Sequence, residues 1–402
     1  MKRRLLTLLL ALALIVSVAA CAKKDAPAPT PVPGGESTPT PDNPPSSEAP
    51  GTAAPGAPEG AALKIVIVTS GSSIDDGSFN QDNYNGILAF IRNNPASTVT
   101  DVKSADIADS MNDVESVLAD YDVIVLPGFQ FADVSALAVE NPEKRFILID
   151  SDPSELDGQT VFDNIYAMTF KEQESGFFAG IAAALETKSE KVAVVNGIAY
   201  PSNVNYQFGF EAGVAYANAK LGTSAEVIEI AARAGQDVTG ANVGGNYVQD
   251  FGDEATGKVI GTELIALGAD VIFVAAGASG NGVFTAAKEN GNVKVIGCDV
   301  DQYSDGVFAG GNIILTSGLK VMSINVERAL DNIAAGTFKG GNYLLGADTD
   351  STGFVSAEGR NQLSENTIAN LASAYELVKT GVIVPPGNFT AGITVEDFPG
   401  LK

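Results

Sequence analysis

Apolar positions divide this chain into three stretches of different character. Behind Lys2, Arg3 and Arg4, residues 5–18 are almost all Leu, Ala, Ile or Val. That run is shorter than the ~20 residues that span a bilayer. A basic start, a short apolar middle and the small residues Ala19 and Ala20 predict an export signal over residues 1–20. From residue 22 to about residue 60 the apolar pattern vanishes, and eleven of the nineteen prolines gather there among Ala, Gly, Ser and Thr. Such a stretch buries too little apolar surface to offset the entropy of ordering, so an extended, disordered linker is expected.

The third stretch, from Leu63 onward, alternates two periods. Nearly continuous apolar, β-branched runs at 63–70, 122–128, 145–150, 191–197, 225–232, 270–277 and 293–299 read as strands buried on both faces. Amphipathic stretches at 79–93, 109–121, 172–186, 207–221, 254–267 and 282–290 read as helices, with Gly222, Gly268 and Gly291 as stops. A further helical pattern spans 362–379 and precedes Pro385-Pro386. Repeated strand–helix units predict an α/β fold with parallel sheets and right-handed crossovers. The folded part, about 340 residues, is too long for one core, so two Rossmann-like lobes with a cleft between them are expected. Ligands in such folds bind beyond the carboxyl ends of the strands.

Composition narrows the chemistry. A formal net charge of −25, spread along the chain, leaves no basic face for nucleic acid. The absence of histidine removes Ser-His-Asp and Cys-His nucleophile systems and the zinc motifs built on HExxH. Of the two cysteines, Cys21 follows the signal and Cys298 sits in an apolar run, where it reads as a buried thiol without a disulfide partner. No cofactor and no metal are expected. The loop Gly277-Ala278-Ser279-Gly280-Asn281-Gly282 has G-x-x-G-x-G spacing, not the dinucleotide fingerprint G-x-G-x-x-G, and there is no Walker A sequence.

The strand ends carry the candidate chemistry. Ser70 opens a small-residue loop that leads to Ile74-Asp75-Asp76-Gly77-Ser78-Phe79-Asn80-Gln81. Later strand ends lead to Tyr206–Gly213, Asn246–Asp253, Gly277–Phe284, Gly297-Cys298-Asp299-Val300-Asp301-Gln302 and Ser317-Gly318-Leu319-Lys320. Phe79 at a helix start serves either to stack on a ring or to staple the following helix.

Two resemblances follow. Val18-Ala19-Ala20-Cys21 resembles the lipobox of bacterial lipoproteins, which implies cleavage before Cys21 and its lipidation, with 21–61 as lipidated residue plus linker. The loops above, together with Thr169-Phe170-Lys171-Glu172-Gln173-Glu174 and Ala179-Gly180, resemble the basic membrane protein (BMP) family of ABC-transporter substrate-binding lipoproteins, from about Lys64 to Phe354. That family implies a type I periplasmic-binding-protein fold with a hinge. The lobes then fall at 62–186 with about 300–335 and at 187–299 with about 336–402.

The resemblance also implies a purine nucleoside or nucleoside-like ligand. Phe79 and Phe251 would sandwich the base, with Tyr206 near the cleft, and Gly277 would offer its backbone. Asp299 and Lys320 would hold the ribose hydroxyls; a salt bridge at the lobe junction is the other reading of that pair. Asn80 matches the family, whereas Ser70 stands where nucleoside-binding members place an Asp. Riboflavin or another ring-plus-polyol compound is the alternative ligand, and a ligand sensor the alternative role. A hydrolase would need paired carboxylates from among Asp75, Asp76, Asp299 and Asp301. The expected setting is a lipid-anchored monomer on the extracytoplasmic face, partnered by an ABC permease.

Overall fold

The computed structural model describes residues 61–387 and 392–402. The expected export signal, Cys21 and the linker lie outside the described residues.

The first half of the chain runs β1 (Lys64–Thr69), α1 (Phe79–Asn93), β2 (Thr98–Lys103), α2 (Ser110–Val117), β3 (Val123–Pro127), α3 (Ser135–Glu140), β4 (Arg145–Ile149), β5 (Ile165–Phe170) and α4 (Glu172–Glu186). The second continues through β6 (Lys191–Asn196), α5 (Pro201–Tyr216), β7 (Glu226–Val227), α6 (Glu254–Ala266), β8 (Val271–Ala275), α7 (Gly280–Asn290), β9 (Lys294–Asp299) and β10 (Ile314–Lys320). It closes with α8 (Ser323–Ala334), β11 (Gly341–Leu345), β12 (Thr352–Phe354) and α9 (Glu365–Lys379). One sheet has the order β11-β5-β4-β3-β1-β2 and the other β12-β10-β9-β8-β6-β7. All neighbours are parallel except β12, which runs antiparallel to β10.

Each central strand is buried along its length, as a sheet covered on both faces requires. In the first sheet α1 and α8 cover one face, while α2 and the turn before α3 cover the other. In the second sheet α4, α5 and α9 lie on one face and α6 and α7 on the other. Helix starts follow local chemistry: Asp253 accepts from Thr256 N at 2.9 Å to open α6, and Pro201 occupies the first turn of α5.

The chain divides between the lobes differently from the sequence reading. Helix α4, expected to end the first lobe, packs Phe177, Phe178 and Ile181 into the core of the second sheet. Residues 314–320, expected in the first lobe, pair with β9 in the second sheet. Residues 341–345, expected in the second lobe, add a parallel edge to β5, where the rings of Tyr166 and Tyr343 stack at 4.5 Å. The chain therefore crosses between lobes three times, at Lys171, at residues 321–322 and at residues 346–351.

Two smaller expectations also change. The 225–232 strand shrinks to two residues because the Asn246 side chain takes over its pairing: Oδ1 accepts from Ile230 N at 2.8 Å, and Nδ2 donates to Ile228 O and Val194 O. The 109–121 helix is a short α-helix between two 3-10 turns. Helix α9 caps itself on Ser364 and completes the second lobe, as its pattern suggested.

Candidate functional site

The two sheets are wound alike, so their strand ends correspond: β1 with β6, β3 with β8, β4 with β9, β5 with β10. Where these ends face one another they line a cleft of about 580 Å³ including its mouth. Asp150 follows β4 and Asp299 ends β9, at equivalent places in the two lobes. Both adopt the left-handed backbone conformation, with φ of 63° and 67°. Non-glycine residues seldom sit there, and such outliers cluster at functional sites.

Between these two aspartates stands Lys320, at the end of β10. Its Nζ lies 2.6 Å from Asp150 Oδ2, 3.7 Å from Asp299 Oδ1 and 3.7 Å from Glu172 Oε1. Burial alone would lower the ammonium, but Asp150, Asp299 and Glu172 outweigh it and hold Lys320 above its ordinary range. For Glu172 the balance goes the other way. Burial, aided by the charge of Asp150, exceeds the attraction of Lys320 and pushes its carboxyl up to about 8. Burial also raises Asp150 despite its close ion pair with Lys320.

The oxygens of this cluster are unequally occupied. Asp299 Oδ1 accepts from Tyr206 OH at 2.8 Å and Oδ2 from Ser78 Oγ at 3.1 Å. Asp150 Oδ1 is buried and has no hydrogen-bond partner within 3.5 Å among the described residues, although the nearby Ser202 hydroxyl also favours the charged carboxylate. An unpaired buried carboxylate oxygen is costly, and a ligand hydroxyl would relieve it.

Aromatic rings form the rest of the wall. The Phe79 ring faces Lys320, with Nζ 4.7 Å from its centroid. Phe129 of the first lobe lies 5.3 Å from Tyr200 of the second, and Tyr200 lies 6.0 Å from Phe251. Phe251 fits against Gly71, Gly197 and Gly277. A Cβ at Gly71 would come 3.2 Å from Phe251 Cβ, and one at Gly197 would overlap the Phe251 ring. The close approach at Gly277, read from sequence as room for a ligand, is made by Phe251, whose carbonyl oxygen lies 3.3 Å from where a Cβ would stand.

All eight residues singled out in the sequence, Ser70, Phe79, Asn80, Tyr206, Phe251, Gly277, Asp299 and Lys320, line this one cleft. The predicted Asp299–Lys320 pair exists at 3.7 Å, but the tighter partner is Asp150. Asp150, Phe129, Gln130 and Tyr200 escaped the sequence reading. Asp150 ends the run at 145–150, so the strand-end rule already pointed to it. Cys298 is buried and without a disulfide, yet it lines the cleft, and burial holds its thiol well above the ordinary value.

Of the carboxylates weighed for hydrolysis, Asp299 stands in the cleft, while Asp76 and Asp301 are committed to structural contacts. Asp76 accepts from Ser78 N, Asn80 N, Gln81 N and Ser72 Oγ, which fastens the loop onto the start of α1. Asp301 pairs with Arg360 at 2.6 Å. Among the described residues no group of His, Cys, Asp and Glu is arranged to hold a metal ion, and no helix is long and apolar enough to cross a membrane.

The chain matches the model of the Bmp family, described as ABC transporter substrate-binding protein PnrA-like, over residues 63–237 and 239–387. It belongs to the Bmp family. As a Bmp-family protein it is an extracytoplasmic solute-binding component of an ABC transporter, which binds a small molecule for delivery to a permease, and it is not an enzyme. The CD4+ T-cell-stimulating antigen of Listeria monocytogenes serovar 1/2a is 29% identical over 340 residues, which cover 80% of this chain and 87% of the relative. The ABC transporter nucleoside-binding protein BmpA of Lactococcus lactis subsp. cremoris is 29% identical over 303 residues, 70% of this chain and 78% of that one. In structure, an ABC transporter solute-binding protein from Aeropyrum pernix K1 superposes with a TM-score of 0.68 at 23% identity, covering 81% of this chain and 94% of that chain. The Bmp-family fold is accordingly the expected type I periplasmic one.

Proposed function

We propose that this Bmp-family protein captures a nucleoside-like ligand between its lobes, with the base against Phe79 and Phe251 and the sugar hydroxyls on Asp150, Asp299 and Lys320. The observation that carries this reading is the Asp150 Oδ1 left without a hydrogen bond beside Lys320, whose ammonium lies 3.7 Å from Asp299 Oδ1 and 4.7 Å from the centre of the Phe79 ring. A vicinal diol brings two donors, which suit two carboxylates, and lone pairs, which suit an ammonium. A flat heterocycle suits aromatic walls. The name of the Lactococcus relative, a nucleoside-binding protein, supports the same ligand class. Cys21 is proposed to carry the lipid anchor that keeps a monomeric receptor beside its permease.

A thermal-shift panel of nucleosides, free bases, riboflavin and sugars tests the ligand. A native-state ligand at 100 times its Kd adds about 2.7 kcal/mol of stability by mass action. Nucleosides should raise the melting temperature, free bases less so, and no free base should be released on incubation. A shift by riboflavin or a sugar, with none by any nucleoside, defeats this assignment. On the anchor, Cys21→Ser protein should leave the membrane fraction; retention there would refute lipidation.

A further inference from the structure

At the first-lobe end of the cleft, β1 runs out into Ser70, and β3 is followed by Gly128, Phe129 and Gln130. Gln130 Nε2 donates to Ser70 Oγ at 2.7 Å and to the carbonyl oxygen of Pro127 at 3.2 Å. A carbonyl oxygen only accepts, so the amide orientation is fixed by chemistry, and both amide hydrogens are used. The side chain folds back over Gly128, whose φ is 127° and where a Cβ would overlap Gln130 Oε1. Only glycine permits that arrangement.

Two groups are left over. Ser70 Oγ receives the amide hydrogen and keeps its own proton to donate. Gln130 Oε1 accepts no hydrogen bond among the described residues, so both its lone pairs can be offered. The two residues adjoin one another in the cleft wall with Phe79 and Asn80, and neither is charged.

We infer that the Ser70–Gln130 pair is the specificity element that reads the edge of the heterocycle, as one neutral donor beside one neutral acceptor. The inference rests on the nucleoside reading above. Adenine fits: N1 accepts from Ser70 Oγ, and the 6-amino group donates to Gln130 Oε1. Hypoxanthine fits in the mirrored sense, O6 accepting and N1–H donating. Guanine can present the same O6 and N1–H, but its 2-amino group adds a donor that the pair does not satisfy. The preferred class is therefore a purine nucleoside with a 6-amino or 6-oxo group and no 2-amino group.

Isothermal titration of the full protein with two matched pairs of nucleosides tests this. Adenosine and purine riboside differ only in the 6-amino group, and inosine and guanosine only in the 2-amino group. One neutral hydrogen bond is worth on the order of tenfold in affinity. Adenosine should bind about tenfold more tightly than purine riboside, and inosine more tightly than guanosine. Gln130→Met should bring adenosine and purine riboside to within about twofold of each other. Ser70→Ala, which leaves Gln130 fastened to Pro127, should weaken adenosine, inosine and purine riboside together, since each offers an acceptor to the hydroxyl. Nucleosides that bind with no such ratios, or ratios that survive Gln130→Met, overturn the pair while leaving the ligand class intact. No nucleoside binding at all overturns the ligand class and this inference with it.

Discussion

Glu172 is the residue whose environment departs furthest from what its neighbours in sequence suggest. It starts a helix, where a negative charge is normally favourable, yet it is buried beside Lys320 and Asp150 and its carboxyl is pushed up to about 8. A glutamate whose folded value lies above the ordinary 4.5 contributes stability that is fully present below 4.5 and lost as pH rises through about 8. Glu172→Gln keeps an oxygen for Asn205 Nδ2, now 2.9 Å from Oε2, and stays neutral at every pH. The difference in melting temperature, variant minus wild type, should therefore grow from pH 5 to pH 8. Glu211, pushed up to about 7 by burial, is common to both proteins and cancels from that difference. A difference that is flat with pH removes the titration argument. Nothing in the sequence around Glu172 foretold this, because the cause is burial in the assembled cleft, aided by the charge of Asp150 from another strand end, which the attraction of Lys320 does not outweigh. The strand-end residues Ser70 and Asp299 were legible, since the apolar runs before them put them at strand ends, whereas Lys320, at the end of a strand that was missed, took its role only from the family resemblance. Gln130 was not legible, because its role depends on a side chain folding back over Gly128.

Most elements were legible for the same local reason. Parallel strands buried on both faces are continuous apolar runs, and β1, β3, β4, β6, β8 and β9 follow the sequence reading to within a residue or two at each end. Strand β2, an edge with alternating exposure, gave no such run and was missed, as was β10, whose polar Thr316 and Ser317 are buried by the fold. The contact between α4 and α5 was also invisible. Glycines spaced four apart on each helix, Gly176 and Gly180 against Gly209 and Gly213, let the two backbones touch. A Cβ at Gly180 would overlap Phe210 O, and one at Gly213 would overlap Phe177 O. That closeness sets where α5 holds Tyr206, and hence the 2.8 Å bond to Asp299. Gly180→Ala separates two effects. Helix propensity alone favours alanine by roughly 1 kcal/mol, whereas overpacking against backbone, which cannot rotate away, costs about 1–3 kcal/mol. A net loss of up to ~2 kcal/mol is expected as a lower urea midpoint; a variant as stable as wild type would mean that the helices can move apart freely.

At the scale of the whole molecule, the binding chemistry and the hinge are the same residues. Glu172 follows the crossing at Lys171, and Lys320 precedes the crossing at 321–322, so the charges that meet a ligand also sit where the lobes pivot. The lobes touch through Ser78 and Asp299, through Gln302 Nε2 donating to Gly77 O at 3.2 Å, and through Phe251 against Gly71. A ligand shifts such an equilibrium only by binding one arrangement better than the other, so weakening a contact between the lobes should cost affinity even where the ligand is not touched. Gly71 provides that test. It has a φ of 78°, Phe251 leaves almost no space for a Cβ, and its carbonyl oxygen lies against Gly252. In Gly71→Val a branched side chain would wedge between the lobes, and the left-handed backbone adds on the order of 1–2 kcal/mol of strain that loop movement relieves. Small-angle scattering without ligand should then give a larger radius of gyration than wild type. Saturating adenosine should bring the two together, with affinity lowered by tenfold or more. If radius and affinity both match wild type, the Phe251–Gly71 contact does not hold the lobes, and closure must rest on the other contacts between them, Ser78 with Asp299, Gln302 with Gly77, Phe129 with Tyr200 and the Lys320 cluster.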